Sequence, residues 1–225
     1  MDREPVAELP FLTRYRNHFN ATWSDEEEID RVRFVVLDTE TTGLNPLSDR
    51  IITIGAVAVQ NGEILIGDSF EALLRITHNT DAVTVHGVTR DESLAGIDEP
   101  AALKMFLDYL RDGVIVGHHI GHDVSTLNAA LDRHWGIQLS NRSLDTMNLT
   151  LLLERDGAFL NRPRIRRFTL DALCEMFDVI PYGRHTAAGD AVITAEVFLR
   201  LRRLALKHGR SHLGPICEPF EEPES

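Results

Sequence analysis

Residues 34–44 read Phe-Val-Val-Leu-Asp-Thr-Glu-Thr-Thr-Gly-Leu, and the predicted fold is built around them. Its first four residues form a continuous apolar run, which predicts a central strand buried on both faces. The run passes directly into Asp38 and Glu40. Because residues i and i+2 of a strand point to the same side, the two carboxylates are expected to project together from the strand's end.

The patterns on either side of this strand predict a mixed sheet covered by helices. Two further strands are predicted at 50–59 and 63–74, joined by the hairpin turn Asn61-Gly62, and a buried strand at 114–116. Helical spacing predicts helices at 99–110, 122–135, from 144, at 169–177 and at 187–208. This order indicates an α/β protein in which α-helices flank a mixed β-sheet.

Composition shifts divide the chain into three parts. Residues 1–32 are an N-terminal extension, expected to be helical at 11–19 and again after a capping Ser24, and to pack on the domain or on a partner. Residues 33–208 form the domain that carries the motifs. Residues 209–225 are rich in proline and acidic side chains, which is typical of a loose tail.

The bulk properties limit the possible functions. The net charge of −12 counts against a protein that coats duplex nucleic acid with a broad basic surface, but permits an enzyme that grips phosphates through metal ions. No apolar run approaches the ~20 residues that span a bilayer, so no membrane association is expected. The N-terminus lacks a secretory signal, and Cys174 and Cys217 form no disulfide framework, so the expected compartment is the cytoplasm.

The pair Asp38 and Glu40 points to a metal site. Two neighbouring ionised carboxylates repel each other, and a divalent cation removes that cost. Carboxylate oxygens with open water positions suit magnesium or manganese. Taken alone, Asp-x-Glu is equally compatible with a solvated strand end.

Two further acids and a histidine extend the pair. Asp123 follows the strand at 114–116 and opens a helix, where open sheets place their sites, although it is also a suitable helix cap. Asp190 lies in the first turns of the long helix, where the helix dipole alone would stabilise it. His185 precedes that helix, and a histidine with a pKa of about 6.5 suits proton transfer near neutral pH. Four acids and one histidine fit a reaction in which two metal ions clamp a phosphodiester.

Together, these segments resemble the three motifs of the DEDDh exonucleases, the family that contains the proofreading epsilon subunit of bacterial DNA polymerase III. The segments are residues 38–44, Asp123 after its Gly-His strand end, and His185-x4-Asp190. The resemblance covers roughly residues 33–206 and includes 85–89, 144–146 and 169–173. It implies an RNase H-like fold and a 3′→5′ exonuclease that releases nucleoside 5′-monophosphates, with DNA as the expected polymer.

The resemblance also implies a role for each motif residue. Two Mg²⁺ or Mn²⁺ ions would be held by Asp38, Glu40, Asp123 and Asp190, with Asp38 bridging them and Asp123 acting partly through water. His185 would be the general base. Leu44 would wedge against the terminal base, and His86 would lie near the terminal sugar or be a packed loop histidine. The residues expected to contact substrate are Thr41, Thr42, Gly43, Leu44, His86, His119 and His122.

The second motif departs from the family pattern Ala-His-Asn-x-x-Phe-Asp, since residues 117–123 read Gly-His-His-Ile-Gly-His-Asp. His119 replaces the asparagine that contacts the substrate strand. His122 replaces the aromatic residue that packs near the last bases. A histidine can donate a hydrogen bond or stack on a base, so both roles can survive while substrate preference changes.

The expected partner is a single-stranded nucleic acid or a frayed 3′ end. The basic cluster at 162–167 would guide phosphates toward the metals or is simply a solvated loop. A polymerase or other protein partner and a homodimer both stay open.

Three alternative functions share the fold or part of this pattern. An RNA-processing 3′→5′ exoribonuclease would use the same site, and a non-catalytic nucleic-acid-binding module would use the same fold. A haloacid-dehalogenase-type phosphatase also begins with Asp-x-Asp-x-Thr after a buried strand. That phosphatase needs aspartate at the second position and an acid four or five residues after Asp190, where Thr194 and Ala195 stand.

Overall fold

The computed structural model describes residues 9–76, 95–159 and 168–219. Their sheet has five strands in the order β3-β2-β1-β4-β5. Neighbours β1, β2 and β3 pair antiparallel, whereas β4 runs parallel to β1 and β5 parallel to β4. The predicted mixed sheet is therefore confirmed. The strands are β1 Phe34–Thr41, β2 Ile51–Gln60, β3 Glu63–Leu73, β4 Val114–Gly117 and β5 Ser143–Asp145.

Helices pack on both faces of this sheet, as the periodicity predicts. In chain order they are α1 Pro10–Asn17, α2 Glu99–Leu110, α3 Gly121–Trp135, α4 Thr146–Arg155, α5 Leu170–Phe177, α6 Ala187–Lys207 and α7 Leu213–Cys217. Among the described helices, none is both long enough and apolar enough to cross a bilayer.

Strand β1 divides the core in two because its side chains alternate between the faces. Phe34 and Val36 belong to the cluster that includes α6, where the Phe34 and Phe198 ring centroids lie 4.9 Å apart. Val35 and Leu37 belong to the opposite cluster, which includes α2 and α3. Continuing this alternation, Asp38 and Glu40 follow the α6 face, and Thr39 follows the α3 face.

Gly55 allows the start of α6 to reach the sheet beside Asp38. The register pairs Gly55 of β2 with Asp38 of β1. A Cβ atom at Gly55 would lie 2.3 Å from the backbone of Ala187 and of Ala188, the first residues of α6. Only a glycine permits this approach, which carries the first turn of α6 to the end of β1.

The N-terminal extension packs on the domain through α1. Phe11, Leu12 and Tyr15 are buried in the α2–α3 cluster, and Asn141 accepts a 2.5 Å hydrogen bond from the Tyr15 hydroxyl. The helix predicted to begin after Ser24 is wrong. The amide of Ile29 donates to Ser211, and Glu28 forms an isolated β-bridge with His212. These backbone groups pair across the chain instead of along a helix.

The structure also differs from the predictions in the second half. Residues 143–145, where a helix was predicted to start, pair with β4, and the helix begins only at Thr146. Part of the segment interpreted as a tail is folded, since Leu213 and Ile216 of α7 are fully buried in the α6 cluster. Residues 220–225 lie outside the described part of the chain.

Candidate active site

Three carboxylates meet at the end of β1. Single ligand oxygens of Asp38, Glu40 and Asp190 all lie within 4.8 Å of one another. Two of these side chains come from the α6 face of β1, and the third comes from the first turn of α6 itself. Three hard oxygen donors at this spacing fit a divalent cation such as Mg²⁺ or Mn²⁺.

The electrostatics of this cluster favour a bound cation. Burial, followed by repulsion from Asp123, Asp190 and Glu40, raises the pKa of Asp38 from 3.8 to about 9. The nearby Arg184 acts in the opposite direction. An ionised Asp38 is therefore costly in the metal-free site, and a divalent ion would offset that cost.

Asp123 approaches from the other face of the sheet. It lies in the first turn of α3 and is buried. One of its oxygens, Oδ1, accepts hydrogen bonds from the Thr39 backbone N–H at 2.8 Å and from the Thr39 hydroxyl at 2.7 Å. Burial raises its pKa, and the Thr39 bonds oppose that rise. Asp123 lies outside the group of three carboxylates, so its role as a ligand stays a prediction.

The third motif brings a cation that the sequence analysis missed. Arg184 Nη1 donates to Asp190 Oδ1 at 2.6 Å, and Arg184 Nε donates to Asp171 Oδ1 at 2.8 Å. The His185 backbone N–H donates to the other Asp190 oxygen at 3.2 Å, while its side chain is exposed. The only sign of this contact in the sequence is that an arginine directly precedes His185.

The second motif is held by an aspartate that also caps a helix. Asp145 Oδ1 accepts from Met147 N at the start of α4 and from His119 N at 3.2 Å. His119 has a φ of 59°, in the left-handed region that favours asparagine and also admits histidine. This backbone conformation explains why a histidine can replace the family's asparagine there. The His119 side chain is exposed, and that of His122 is half-buried.

His118, which was not predicted as a site residue, is a neutral anchor. Its Nδ1 lies 2.9 Å from Thr146 Oγ1, and its ring packs edge-on against His119 at 4.6 Å between centroids. Burial first, and His119 second, lower the pKa of His118 from 6.5 to about 4. The imidazole is therefore uncharged at neutral pH and joins the end of β4 to α4.

The loop after Glu40 is fixed by Asp49, another residue that the sequence analysis missed. Asp49 accepts from the Thr42 hydroxyl at 3.3 Å and from Asn45 N at 2.7 Å. The Thr41 hydroxyl donates to the Gly43 carbonyl at 2.7 Å. Leu44 stands 87% exposed on this loop. The loop is thus ordered by its own side chains and presents an unpartnered apolar tip beside the carboxylates.

Two predicted features cannot be placed. His86, with its segment 85–89, and the basic cluster at 162–167 lie outside the described residues.

A mixed sheet with a carboxylate cluster at the end of its central strand fits the class of metal-dependent nucleases. The family model described as Exonuclease matches residues 35–198, so the chain belongs to this exonuclease family. The predicted family is confirmed.

Curated relatives agree with this assignment. The chain is 33% identical over 199 residues to DNA polymerase III PolC-type of Thermotoga maritima, covering 86% of this chain and 14% of the relative. With the Bacillus subtilis PolC-type protein it shares 30% identity over 184 residues, 80% of this chain and 12% of the relative. The chain therefore spans about one-seventh of the length of these relatives.

Solved structures confirm the predicted RNase H-like fold. Escherichia coli Exonuclease I in complex with a dT13 oligonucleotide superposes with a TM-score of 0.65 at 18% identity, over 79% of this chain and 42% of that one. Cell-death related nuclease 4 superposes with a TM-score of 0.65 at 16% identity, over 78% and 65% of the two chains.

Proposed function

We propose that this protein is a metal-dependent 3′→5′ exonuclease that releases nucleoside 5′-monophosphates from DNA. The observation that carries the proposal is the approach of Asp38, Glu40 and Asp190 to within 4.8 Å in a member of the exonuclease family. DNA is favoured over RNA because the relatives include PolC-type DNA polymerases, and one structural neighbour is named as a complex with dT13.

The carboxylates would hold two Mg²⁺ or Mn²⁺ ions, with Asp123 completing the set from the α3 face. Bound ions supply Lewis-acid activation of the water and stabilisation of the leaving oxygen. Thr39 fixes the orientation of Asp123 through two hydrogen bonds. His185 would accept the proton of the attacking water, and its backbone already contacts Asp190.

The surroundings of the cluster would bind the terminal nucleotide. The ordered loop of Thr41, Thr42 and Gly43 would seat it, and the exposed Leu44 would pack against its base. His119 lies just before α3 and His122 in its first turn. Both would contact the nucleic-acid strand by hydrogen bonding or stacking. His86 would lie near the terminal sugar.

The physiological setting is part of the proposal. A single strand or a frayed 3′ end is the proposed substrate, because one structural neighbour is named as a complex with a dT13 oligonucleotide. A polymerase or other protein partner is proposed from the likeness to PolC-type polymerases. The cytoplasm is the proposed compartment, since both cysteines are free thiols.

The deciding experiment is a time course with labelled single-stranded DNA, duplex DNA, mismatched ends and RNA, with Mg²⁺ or Mn²⁺ and with EDTA. Metal-dependent release of monophosphates from the 3′ end of DNA is expected. Faster release from RNA would instead indicate the exoribonuclease. Failure to release monophosphates from any 3′ end would overturn the proposal.

Two variants separate catalysis from binding. Asp123→Asn should abolish cleavage and leave single-strand binding, because the amide keeps the shape and removes the charge. Asp108→Asn is the matched control, since Asp108 is paired with Arg14 on the exposed side of α2. A binding module would show no metal-dependent cleavage even without substitution.

A further inference from the structure

An arginine side chain lies beside the acidic cluster. Arg184 lies in the segment between α5 and α6 and spans Asp190 and Asp171. Its side chain is 21% exposed and that of Asp190 is 9% exposed, so water screens this pair weakly. The contact is therefore stronger than an ordinary surface ion pair.

Both oxygens of Asp190 are engaged by donors. Oδ1 accepts from Arg184 Nη1, and Oδ2 accepts from the His185 amide. A divalent ion bound to Asp190 would carry its positive charge to within a few ångströms of the guanidinium. Two like charges at that distance repel each other, and they do so more strongly where burial limits screening by water. The metal and the guanidinium thus compete for one carboxylate.

The backbone keeps Arg184 at this position. Gly183 has a φ of 78°. A Cβ atom added at Gly189 would lie only 2.0 Å from the Gly183 carbonyl oxygen. The segment before α6 is therefore folded closely onto the first turn of the helix. Asp171, at the start of α5, holds the guanidinium from the other side.

We propose that Arg184 is an internal counter-cation that competes with the catalytic metal for Asp190. It stabilises the metal-free protein by pairing with the buried Asp190 carboxylate, and it weakens metal binding by the same interaction. When metal binds, the guanidinium is released from Asp190 and remains tethered to Asp171. This inference rests on the proposed function, because it concerns the same metal site.

The test is the affinity for Mn²⁺, measured by calorimetry, together with the melting temperature in EDTA and in saturating Mn²⁺. The variants are Arg184→Gln, which removes the charge, and Arg184→Lys, which keeps the charge but loses the two-sided contact. Asp171→Asn is the matched control, because it breaks the other half of the contact and leaves the cation in place.

Arg184→Gln should bind Mn²⁺ roughly tenfold more tightly, the equivalent of about 1.4 kcal/mol of lost competition. It should melt at a lower temperature in EDTA, with the deficit closing in saturating Mn²⁺. Arg184→Lys should have an affinity between those of Arg184→Gln and the unsubstituted protein. Asp171→Asn should not tighten Mn²⁺ binding.

Unchanged or weaker Mn²⁺ binding by Arg184→Gln would overturn the inference, as would equally tightened binding by Asp171→Asn. If Arg184→Gln does not fold, the lysine variant decides: tighter binding supports the competition, and equal or weaker binding overturns it. Failure of the proposed function gives a different result, since the unsubstituted protein would then bind no Mn²⁺ and release no monophosphates.

Discussion

Thr39 donates two hydrogen bonds to one oxygen of Asp123, at 2.8 Å from its backbone N–H and at 2.7 Å from its hydroxyl. Thr39 stands between Asp38 and Glu40, with its side chain on the opposite face of β1. The residue that separates the two acids of the first motif therefore positions the acid of the second. One strand fixes carboxylates on both faces of the sheet.

Thr39→Val should lower kcat roughly 10–100-fold, the usual effect of losing a group that orients a metal-site carboxylate. The backbone bond remains, so the protein should stay folded. Thr39→Ser keeps the hydroxyl and should restore most of the activity. Thr53→Val is the control, because the buried Thr53 hydroxyl finds no hydrogen-bond partner among the described residues. Equal activity in Thr39→Val and Thr53→Val would contradict the assignment.

Gly55→Ala should lower both the free energy of unfolding and the affinity for Mn²⁺. The added Cβ would lie 2.3 Å from the backbone at the start of α6. Inserting an extra carbon into a well-packed core lowers the free energy of unfolding by about 1–3 kcal/mol or more. The displaced helix would carry Asp190 away from Asp38. Gly67→Ala is the matched strand control, since an added Cβ there meets nothing within 4 Å. Denaturant titration and calorimetry measure the two quantities, and an Mn²⁺ affinity unchanged by Gly55→Ala would count against this role of α6.

Asp38→Asn should stabilise the metal-free protein at alkaline pH. Burial and the neighbouring carboxylates raise the pKa of Asp38 from 3.8 to about 9. Over this range the folded state holds a proton that the unfolded chain has released, so stability falls as the pH rises from 3.8 to about 9. In EDTA at pH 8 the variant should melt at least about 2–4 °C above the unsubstituted protein, the shift for 1 kcal/mol.

Metal should reverse that order. Saturating Mg²⁺ should raise the melting temperature of the unsubstituted protein and have little effect on Asp38→Asn, because the variant lacks a carboxylate that would hold the ion. If the variant is less stable than the unsubstituted protein in EDTA at pH 8, burial and the neighbouring carboxylates do not raise the pKa of Asp38.

His118→Asn should reduce the loss of stability in mild acid. Burial lowers the pKa of His118 from 6.5 to about 4, so the unfolded chain binds a proton there before the folded protein does. Its contribution is complete above pH 6.5 and is lost as the pH falls toward 4, by a few kcal/mol at most. Melting temperatures at pH 7 and pH 4.5 measure the effect. An equally large drop in the variant would place the acid sensitivity elsewhere.

His119→Asn should retain activity and full stability, because asparagine adopts the left-handed backbone at a φ of 59° readily. His119→Val is the contrasting variant. A β-branched side chain is strained there and should cost of order 1–3 kcal/mol. A comparison of single-stranded DNA and RNA cleavage by His119→Asn tests whether the histidine alters the preferred polymer. Equal stability of the two variants would contradict the backbone argument.

The sequence predicted the parts of this site that depend on local chemistry. The apolar run before Asp38 defines a buried strand, and the spacing of Asp38 and Glu40 places both carboxylates on one side of it. The Asn61-Gly62 turn and the helical periodicity of 187–208 are equally local, and β2, β3 and α6 lie close to where they were predicted.

The tertiary structure decided what depends on partners far along the chain. Ser143–Asp145 forms a strand because it pairs with the edge of β4. The segment after Ser24 forms backbone hydrogen bonds with residues near Ser211 instead of a helix. The identity of Asp123's partner, Thr39, and the insertion of Arg184 beside Asp190 follow from packing on opposite faces of the sheet. By itself, the sequence predicted which carboxylates the site would contain, and three of them, Asp38, Glu40 and Asp190, meet in the structure. Only the fold decided which neighbours hold and neutralise them, because those contacts exist only after the two faces of β1 are covered.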